Sequence, residues 1–544
     1  MRKNNGAKKA HIVFLSGKTI GRITDFLFGQ FIELAGRGVN GGVFDPESPM
    51  AREDGIRSDV LEALRELRPT HIRYPGGCAA AYFRWQDLVG PVNERPSAIV
   101  FRPTGVPQSP AFGIPEAYHF CRELGAELYL TVNAHTQTPE DAANLVEYLN
   151  GTKVSKWTDL RKNHGREEPY GIKLFSLGNE IYGSWQAGQK TAEEYAMWCR
   201  EAIRQMKAVD PTIKVVVCGL GRPCPEWDRT VLFNTVGLAD MISFHNYFGR
   251  PVFKDSMAAN MVFEQMIKAA EVAIEEACDT ALGVHSRTYR EFGAPPLINE
   301  KIGLALDEWN VWYRATHDPK KDLEEIYNYM DALTVASLFH SVLRNVHVVK
   351  LSNISEAVNM AASIMTDKNR MVRQTIWYSQ KMIRDAHDSG RIIETAVDCP
   401  VFNAKHERFF CGIVSPEKAK DEKLPSLLHF NNVPALDVLA SIDESKRRMS
   451  VSIVQKLEKQ PLRTVFHFLG VKPKGNFVKI KTLSGGKKMT VENTLDSANN
   501  VGITEKKIPV KEEYILPPAS LYVMEFSIYP AIEKRRVLCE EKCH

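Results

Sequence analysis

The chain has 544 residues, a quarter of them charged, and a formal net charge of +4. Its length exceeds the roughly 250 residues of a (β/α)8 barrel and leaves room for one further domain. So small a net charge gives no electrostatic footprint for nucleic acid or a membrane surface, and no apolar stretch approaches a membrane span, so neither partner is expected. Ten cysteines follow no repeating spacing, which argues against a disulfide framework and for a reducing, cytoplasmic setting. The first apolar run, at 12–15, is too short for a signal peptide. Cys539 and Cys543 have no second pair to complete a metal site.

From residue 24 onward, short β-prone runs alternate with helical patterns. The runs at 26–33, 71–75, 128–134, 173–180, 214–219, 241–248, 304–312 and 347–352 read as strands. Helices are expected at 51–67, 192–209 and 323–344; the last carries Ile326, Tyr329, Met330 and Leu333 at helical spacing. Strand–helix alternation builds a parallel sheet. Eight units fit an α/β fold of the closed (β/α)8, or TIM, barrel type, although the pattern alone also allows an open doubly wound sheet. After about residue 390 the runs at 409–414, 464–469, 477–482 and 521–528 read as strands of a C-terminal antiparallel β-sandwich, jelly-roll-like in character. The expected division is a catalytic barrel at 24–388, a β domain made of 1–23 and 389–530, and a charged tail at 531–544.

Polar residues gather at the C-terminal ends of the barrel strands, the face where barrels build active sites. They are Glu33 on the first strand, Arg73 on the second, and Asn179-Glu180 on the fourth. His245, Asn246 and Tyr247 stand on the sixth, and Asp307, Glu308 and Trp309 on the seventh. Two carboxyl groups facing each other across a barrel mouth suit glycosidic bond cleavage, in which one protonates the leaving oxygen and the other attacks the sugar carbon. Glu180 fits the acid and Glu308 the nucleophile. Tyr247 and Arg73 are placed to hydrogen-bond an ionised Glu308, and Trp309 to offer an apolar wall to a sugar. Taken singly, Asn179-Glu180 is also the pattern of a helix cap. The scattered His, Cys and Glu have no zinc-ligand spacing.

Several blocks resemble glycoside hydrolase family 51, the intracellular α-L-arabinofuranosidases. They include Phe28-Gly29-Gln30-Phe31-Ile32-Glu33, Ile72-Arg73-Tyr74-Pro75-Gly76-Gly77-Cys78 and Ser176-Leu177-Gly178-Asn179-Glu180. Ser243-Phe244-His245-Asn246-Tyr247 and Asp307-Glu308-Trp309-Asn310-Val311-Trp312-Tyr313 follow in the same order. The resemblance covers roughly residues 24 to 390. It implies a retaining mechanism with Glu180 as acid/base and Glu308 as nucleophile, and with neither metal nor organic cofactor. It carries sugar-binding roles onto Glu33, Asn179 and Tyr247, and a supporting role onto Arg73. Cys78 falls where such enzymes line the sugar pocket, or else is a small buried filler. It also implies a homo-oligomer and a small carbohydrate partner, an arabino-oligosaccharide or a simple arabinofuranoside, cut from its non-reducing end.

One departure stands out. Where family members usually carry Gln, this chain reads Ser355-Glu356-Ala357-Val358-Asn359. An ionised carboxylate there accepts hydrogen bonds but donates none, and its charge acts on its neighbours. Glu356 is thus expected to alter sugar choice, leaving another pentofuranoside or a β-xyloside open as the substrate. Two further readings compete with hydrolysis: transglycosylation and a catalytically silent carbohydrate-binding barrel. Retention of both Glu180 and Glu308 argues against the silent barrel.

Overall fold

The computed structural model describes residues 8–100, 107–220, 225–292, 301–313, 323–407, 427–485 and 488–529. The expected strand at 409–414, the tail at 531–544, and Cys539 and Cys543 lie outside these residues.

Eight parallel strands close into a barrel in chain order. They are β1 (Gly29–Phe31), β2 (His71–Tyr74), β3 (Glu127–Val132), β4 (Leu174–Leu177), β5 (Lys214–Cys218), β6 (Met241–Phe248), β7 (Gly303–Val311) and β8 (Val349–Ile354). β8 returns to β1 through the pairs Asn353↔Gly29 and Ile354↔Gln30, so the sheet has no open edge and the doubly wound arrangement falls. β1 is shorter than expected, yet the N–H groups of Ile32 and Leu34 still donate to Arg73 O and Pro75 O, at 3.1 and 2.7 Å. Glu33 therefore keeps its place at the strand's end. Inside the barrel, Tyr129, Leu174, Val216, Met241, Ala305 and Leu351 form one packed layer. Such a layer makes the interior a core rather than a pore.

The helix Ala192–Val209 matches its expected span, held at its start by reciprocal bonds between Thr191 and Glu194. Two other helices begin later than expected. Asp54-Gly55 forms a turn, with Gly55 at φ 82° and the Ile56 N–H bound to Asp54 Oδ1, so the first helix starts only at Ser58. Asn328 accepts the Asp331 N–H at 3.1 Å and caps the helix Tyr329–Arg344. Among the described residues no helix is long and apolar enough to cross a membrane.

The second domain is a nine-stranded sheet in which the N-terminal strand Lys8–Arg22 lies inside the order. It pairs antiparallel with Arg391–Asp398 and parallel with Leu462–Leu469, the latter an exception to the expected antiparallel pattern. Ile12, Phe14, Val438, Val451, Phe466 and Met524, from strands spread along that order, share one apolar core. The barrel is tied to this sheet through Tyr329, whose hydroxyl donates toward Leu483 O and Ala519 O at 2.9 and 2.8 Å.

Candidate active site

Glu308 lies on β7, where the pairing with both neighbouring strands is irregular. The register shifts between Ala305 and Glu308 against β6, and between Leu306 and Trp309 against β8. In a regular strand Asp307 and Glu308 would point to opposite faces. The irregularity re-aims one of them, so that both enter the barrel mouth. Tyr247 donates its hydroxyl hydrogen to Glu308 Oε1 at 2.6 Å, and Arg73 Nη1 donates to Oε2 at 2.9 Å. Together the two bonds fix the carboxylate's plane. Arg73 also donates through Nη2 to Asn179 Oδ1 at 2.7 Å, linking β2, β4 and β7.

Glu180 follows β4 after Gly178, and both residues have left-handed backbones, at φ 44° and 79°. That conformation is costly for a glutamate and common at functional sites. His135 supports the turn. Burial keeps its ring neutral, with a pKa lowered to about 4; Nδ1 donates to Ala187 O at 3.0 Å and Nε2 accepts the Asn179 N–H at 3.1 Å. A carboxylate oxygen of Glu180 and one of Glu308 lie within 4.8 Å of each other, with a ring nitrogen of His245 equally near. His245 Nδ1 is 3.2 Å from Glu180 Oε1 and 3.4 Å from Glu308 Oε2, while Nε2 is 3.0 Å from Asp307 Oδ1. Burial opposes a charge on this imidazole, but Glu308 and Asp307 outweigh it and lift its pKa to about 10.

Glu33 closes another side of the pocket, its Oε1 accepting the Ala79 N–H at 2.8 Å. Gly76 makes room for it, since a Cβ at Gly76 would lie 2.3 Å from Glu33 Cγ. Cys78 is half-buried and its Sγ accepts from Gln186 Nε2 at 3.1 Å. Asn179 Nδ2 is buried with no hydrogen-bond partner among the described residues.

Two family models match the chain, the α-L-arabinofuranosidase 1 domain over residues 63–261 and the α-L-arabinofuranosidase C-terminal domain over 307–520. An intracellular exo-α-(1→5)-L-arabinofuranosidase 1 of Bacillus subtilis is 34% identical over 83% of this chain and 86% of its own. The chain belongs to glycoside hydrolase family 51. An α-L-arabinofuranosidase C of Emericella nidulans is 30% identical over 94% of this chain and 96% of its own. Among solved structures, the α-L-arabinofuranosidase of Thermotoga maritima in complex with arabinose superimposes with a TM-score of 0.82 at 30% identity, covering 95% of this chain and 99% of the other. The family 51 enzyme of Thermotoga petrophila gives a TM-score of 0.83 at 29% identity over 95% of this chain and 100% of the other.

Within this family 51 glycoside hydrolase, two sequence expectations need correction. Trp309 is fully buried and faces away from the pocket; its ring packs on Phe263 and Phe339, and its Nε1 donates to Ser352 Oγ at 2.8 Å. Once the irregularity has turned Asp307 and Glu308 inward, the next side chain turns out, so Trp309 is core and not a sugar wall. Glu356 does not behave as an ordinary ionised carboxylate. Burial first, then the charges of Glu33 and Glu308, push its carboxyl well above the ordinary range. The charge expected to act on the neighbours is therefore suppressed at Glu356 itself.

Sequence reasoning also leaves three contributors to this family 51 site without a role. Trp185 is 41% exposed and donates its indole N–H to Glu180 Oε2 at 3.2 Å. It sits in an irregular loop, and its single signal is an aromatic residue five positions beyond Glu180. Asp307 anchors His245 and accepts the Tyr129 hydroxyl at 2.9 Å. Ser355 meets Tyr247 at 2.8 Å between hydroxyl oxygens.

Proposed function

We propose that this protein is a retaining exo-α-L-arabinofuranosidase acting on short arabino-oligosaccharides or small arabinofuranosides, with Glu308 as nucleophile and Glu180 as acid/base. The observation that carries this reading is the approach of the Glu180 and Glu308 oxygens to within 4.8 Å. Direct attack by a carboxylate goes with about 5–5.5 Å between the two groups, whereas an intervening water needs roughly 6.5–9.5 Å. The name of the Bacillus subtilis relative and the arabinose in the Thermotoga maritima structure support the sugar.

In the first step a Glu308 oxygen bonds to the anomeric carbon as the glycosidic C–O bond breaks, and Glu180 gives its proton to the departing oxygen. Arg73 and Tyr247 hold Glu308 in line for attack. In the second step Glu180, now a carboxylate, takes a proton from water while the water oxygen displaces Glu308 from the sugar. The charged His245 stands between the two carboxyls and offsets the negative charge that moves from one to the other. Asn179 Nδ2, buried and without a partner among the described residues, supplies a donor for a sugar hydroxyl, and Glu33 an acceptor.

We read residues 24–388 as the catalytic unit and 1–23 with 389–530 as its β companion, on the support of the N-terminal strand's pairing. A cytoplasmic homo-oligomer fits the same reading. The word intracellular in relatives' names supports the compartment, as do the free thiols of Cys121, Cys199, Cys218, Cys278 and Cys399.

A furanosyl inactivator with a fast first step and a slow second step, followed by peptide mass mapping, tests the assignment. A sugar ester on Glu308 supports it. A label on any other carboxylate sinks it.

A further inference from the structure

Residues 178–191, between β4 and the helix Ala192–Val209, form neither helix nor strand, yet they carry Glu180 and Trp185. A segment without a backbone ladder must be aimed by something else. His135, just after β3, is buried and reaches this segment from a rigid base. Asn133 Oδ1 accepts the N–H groups of His135 and Thr136, at 3.1 and 2.9 Å, and Asn133 Nδ2 donates to Phe83 O at 3.1 Å. The His135 backbone is thus tied down before its ring makes a contact.

The ring then bridges the two ends of the loop. A backbone N–H can only donate and a carbonyl can only accept, so the partners fix the tautomer. Nε2 accepts from Asn179, and Nδ1 carries the hydrogen given to Ala187 O. Lys190 Nζ adds a bond to the His135 carbonyl oxygen at 2.9 Å. Two glycines let the chain come this close. A Cβ on Gly178 would lie 3.4 Å from His135 Nε2, and one on Gly188 2.3 Å from His135 O. An apolar side chain of the same size would fill the space and leave both backbone groups without these bonds. The Asn179 side chain has a second hold, since its Oδ1 accepts from Arg73. The peptide leading into Glu180 is held by the imidazole, immediately before a residue at φ 44°.

A glutamate in that conformation persists only where its surroundings impose it. We propose that His135 is a positioning residue for the acid/base: the bond from the Asn179 N–H to its Nε2 holds the left-handed turn from which Glu180 presents its carboxyl beside Glu308. The proposal rests on the roles given to Glu180 and Glu308 above. Losing the bond lets the turn relax, and the Glu180 carboxyl then leaves the place where His245 Nδ1 and Trp185 Nε1 each meet it at 3.2 Å. Glu308 stands on β7 with its own donors, so its attack is spared.

Two variants of the full-length protein, His135→Asn and His135→Gln, test this on 4-nitrophenyl and methyl α-L-arabinofuranoside. Asn places its amide where Nδ1 stands and falls short of the Asn179 N–H. Gln reaches the position of Nε2 and offers an oxygen there. In a double displacement kcat/KM reports the first step, which needs the acid most when the leaving group is poor. His135→Asn is expected to lose roughly ten- to a hundredfold in kcat/KM on the methyl glycoside, the scale of a small misplacement, and little on the nitrophenyl one. His135→Gln should recover most of that loss. Equal losses on the two substrates, or a Gln variant no better than the Asn variant, overturn the proposal and leave the proposed function standing. Failure of either variant to fold makes the imidazole part of the scaffold and overturns it too. A wild type that turns over neither arabinofuranoside defeats the proposed function, and the role of His135 with it.

Discussion

The Tyr247 hydroxyl gives its hydrogen to Glu308 Oε1 over 2.6 Å, a shorter bond than the 2.9 Å one from Arg73 to the other oxygen. Tyr247→Phe removes the donor and leaves the ring. Losing a hydrogen bond to a buried charged group costs about 1.5–3 kcal/mol, so kcat/KM should fall roughly ten- to a hundredfold. The fall should be similar for good and poor leaving groups, since Glu308 serves both. Steady-state kinetics on two aryl arabinofuranosides check this; a loss confined to poor leaving groups would place Tyr247 on the acid's side instead.

Glu180→Ala separates leaving-group chemistry from nucleophilic attack. An activated aryl leaving group needs little protonation, so its first step should survive, while an alkyl or sugar leaving group should lose about two to four orders of magnitude. Azide should accelerate the variant on activated substrates by replacing the water that Glu180 no longer deprotonates. The azide product should keep the substrate's anomeric configuration. Equal losses on both substrate types, with no azide effect, would remove Glu180 from the acid/base role.

His245 links stability to pH. Its pKa is raised from an unfolded value near 6.5 to about 10, with burial opposing the shift and Glu308 and Asp307 driving it. A raised folded pKa means that the stabilisation is fully present below about 6.5 and is lost as pH climbs through about 10. The thermal midpoint of the wild type should therefore exceed that of His245→Asn most at neutral pH, and the gap should narrow toward pH 10. A gap that stays constant across this range would show that the imidazole is not charged in the fold.

Trp185 and Trp309 should part company on mutation. Trp185 is partly exposed beside Glu180, so Trp185→Ala should weaken turnover of oligosaccharides by several-fold, about 1 kcal/mol, with little change in thermal midpoint. Trp309 is fully buried between Phe263 and Phe339, so Trp309→Ala should cost about 3–5 kcal/mol of stability. Trp309→Phe should keep KM near that of the wild type. Thermal unfolding and KM measured on the same three variants decide both expectations.

Periodicity makes much of this architecture legible in the amino-acid order itself. Strand–helix alternation locates all eight barrel strands, because a strand buried on both faces must be apolar along its whole run. Tyr247 and Arg73 can be placed beside Glu308 because strand ends share one mouth in a closed barrel. Trp309 escapes such reasoning, since strict strand alternation cannot foresee a local irregularity that turns two consecutive residues inward. Glu356 escapes it for a different reason. A letter in a sequence specifies a titratable group, whereas its proton is set by what surrounds it in three dimensions. Trp185 lies in a loop with no period to flag it.

The placement of Lys8–Arg22 between Arg391–Asp398 and Leu462–Leu469 has a consequence for how the molecule is made. This strand leaves the ribosome before the barrel and finds its parallel neighbour only after more than 400 further residues have been added. At about 5–20 residues per second that is a wait of roughly 20–90 s. During this time the barrel can assemble while Lys8–Arg22 carries an unsatisfied edge. Nascent chains stalled after the barrel should therefore expose a β-strand open to stray pairing, and that strand marks where holdase chaperones have most to protect.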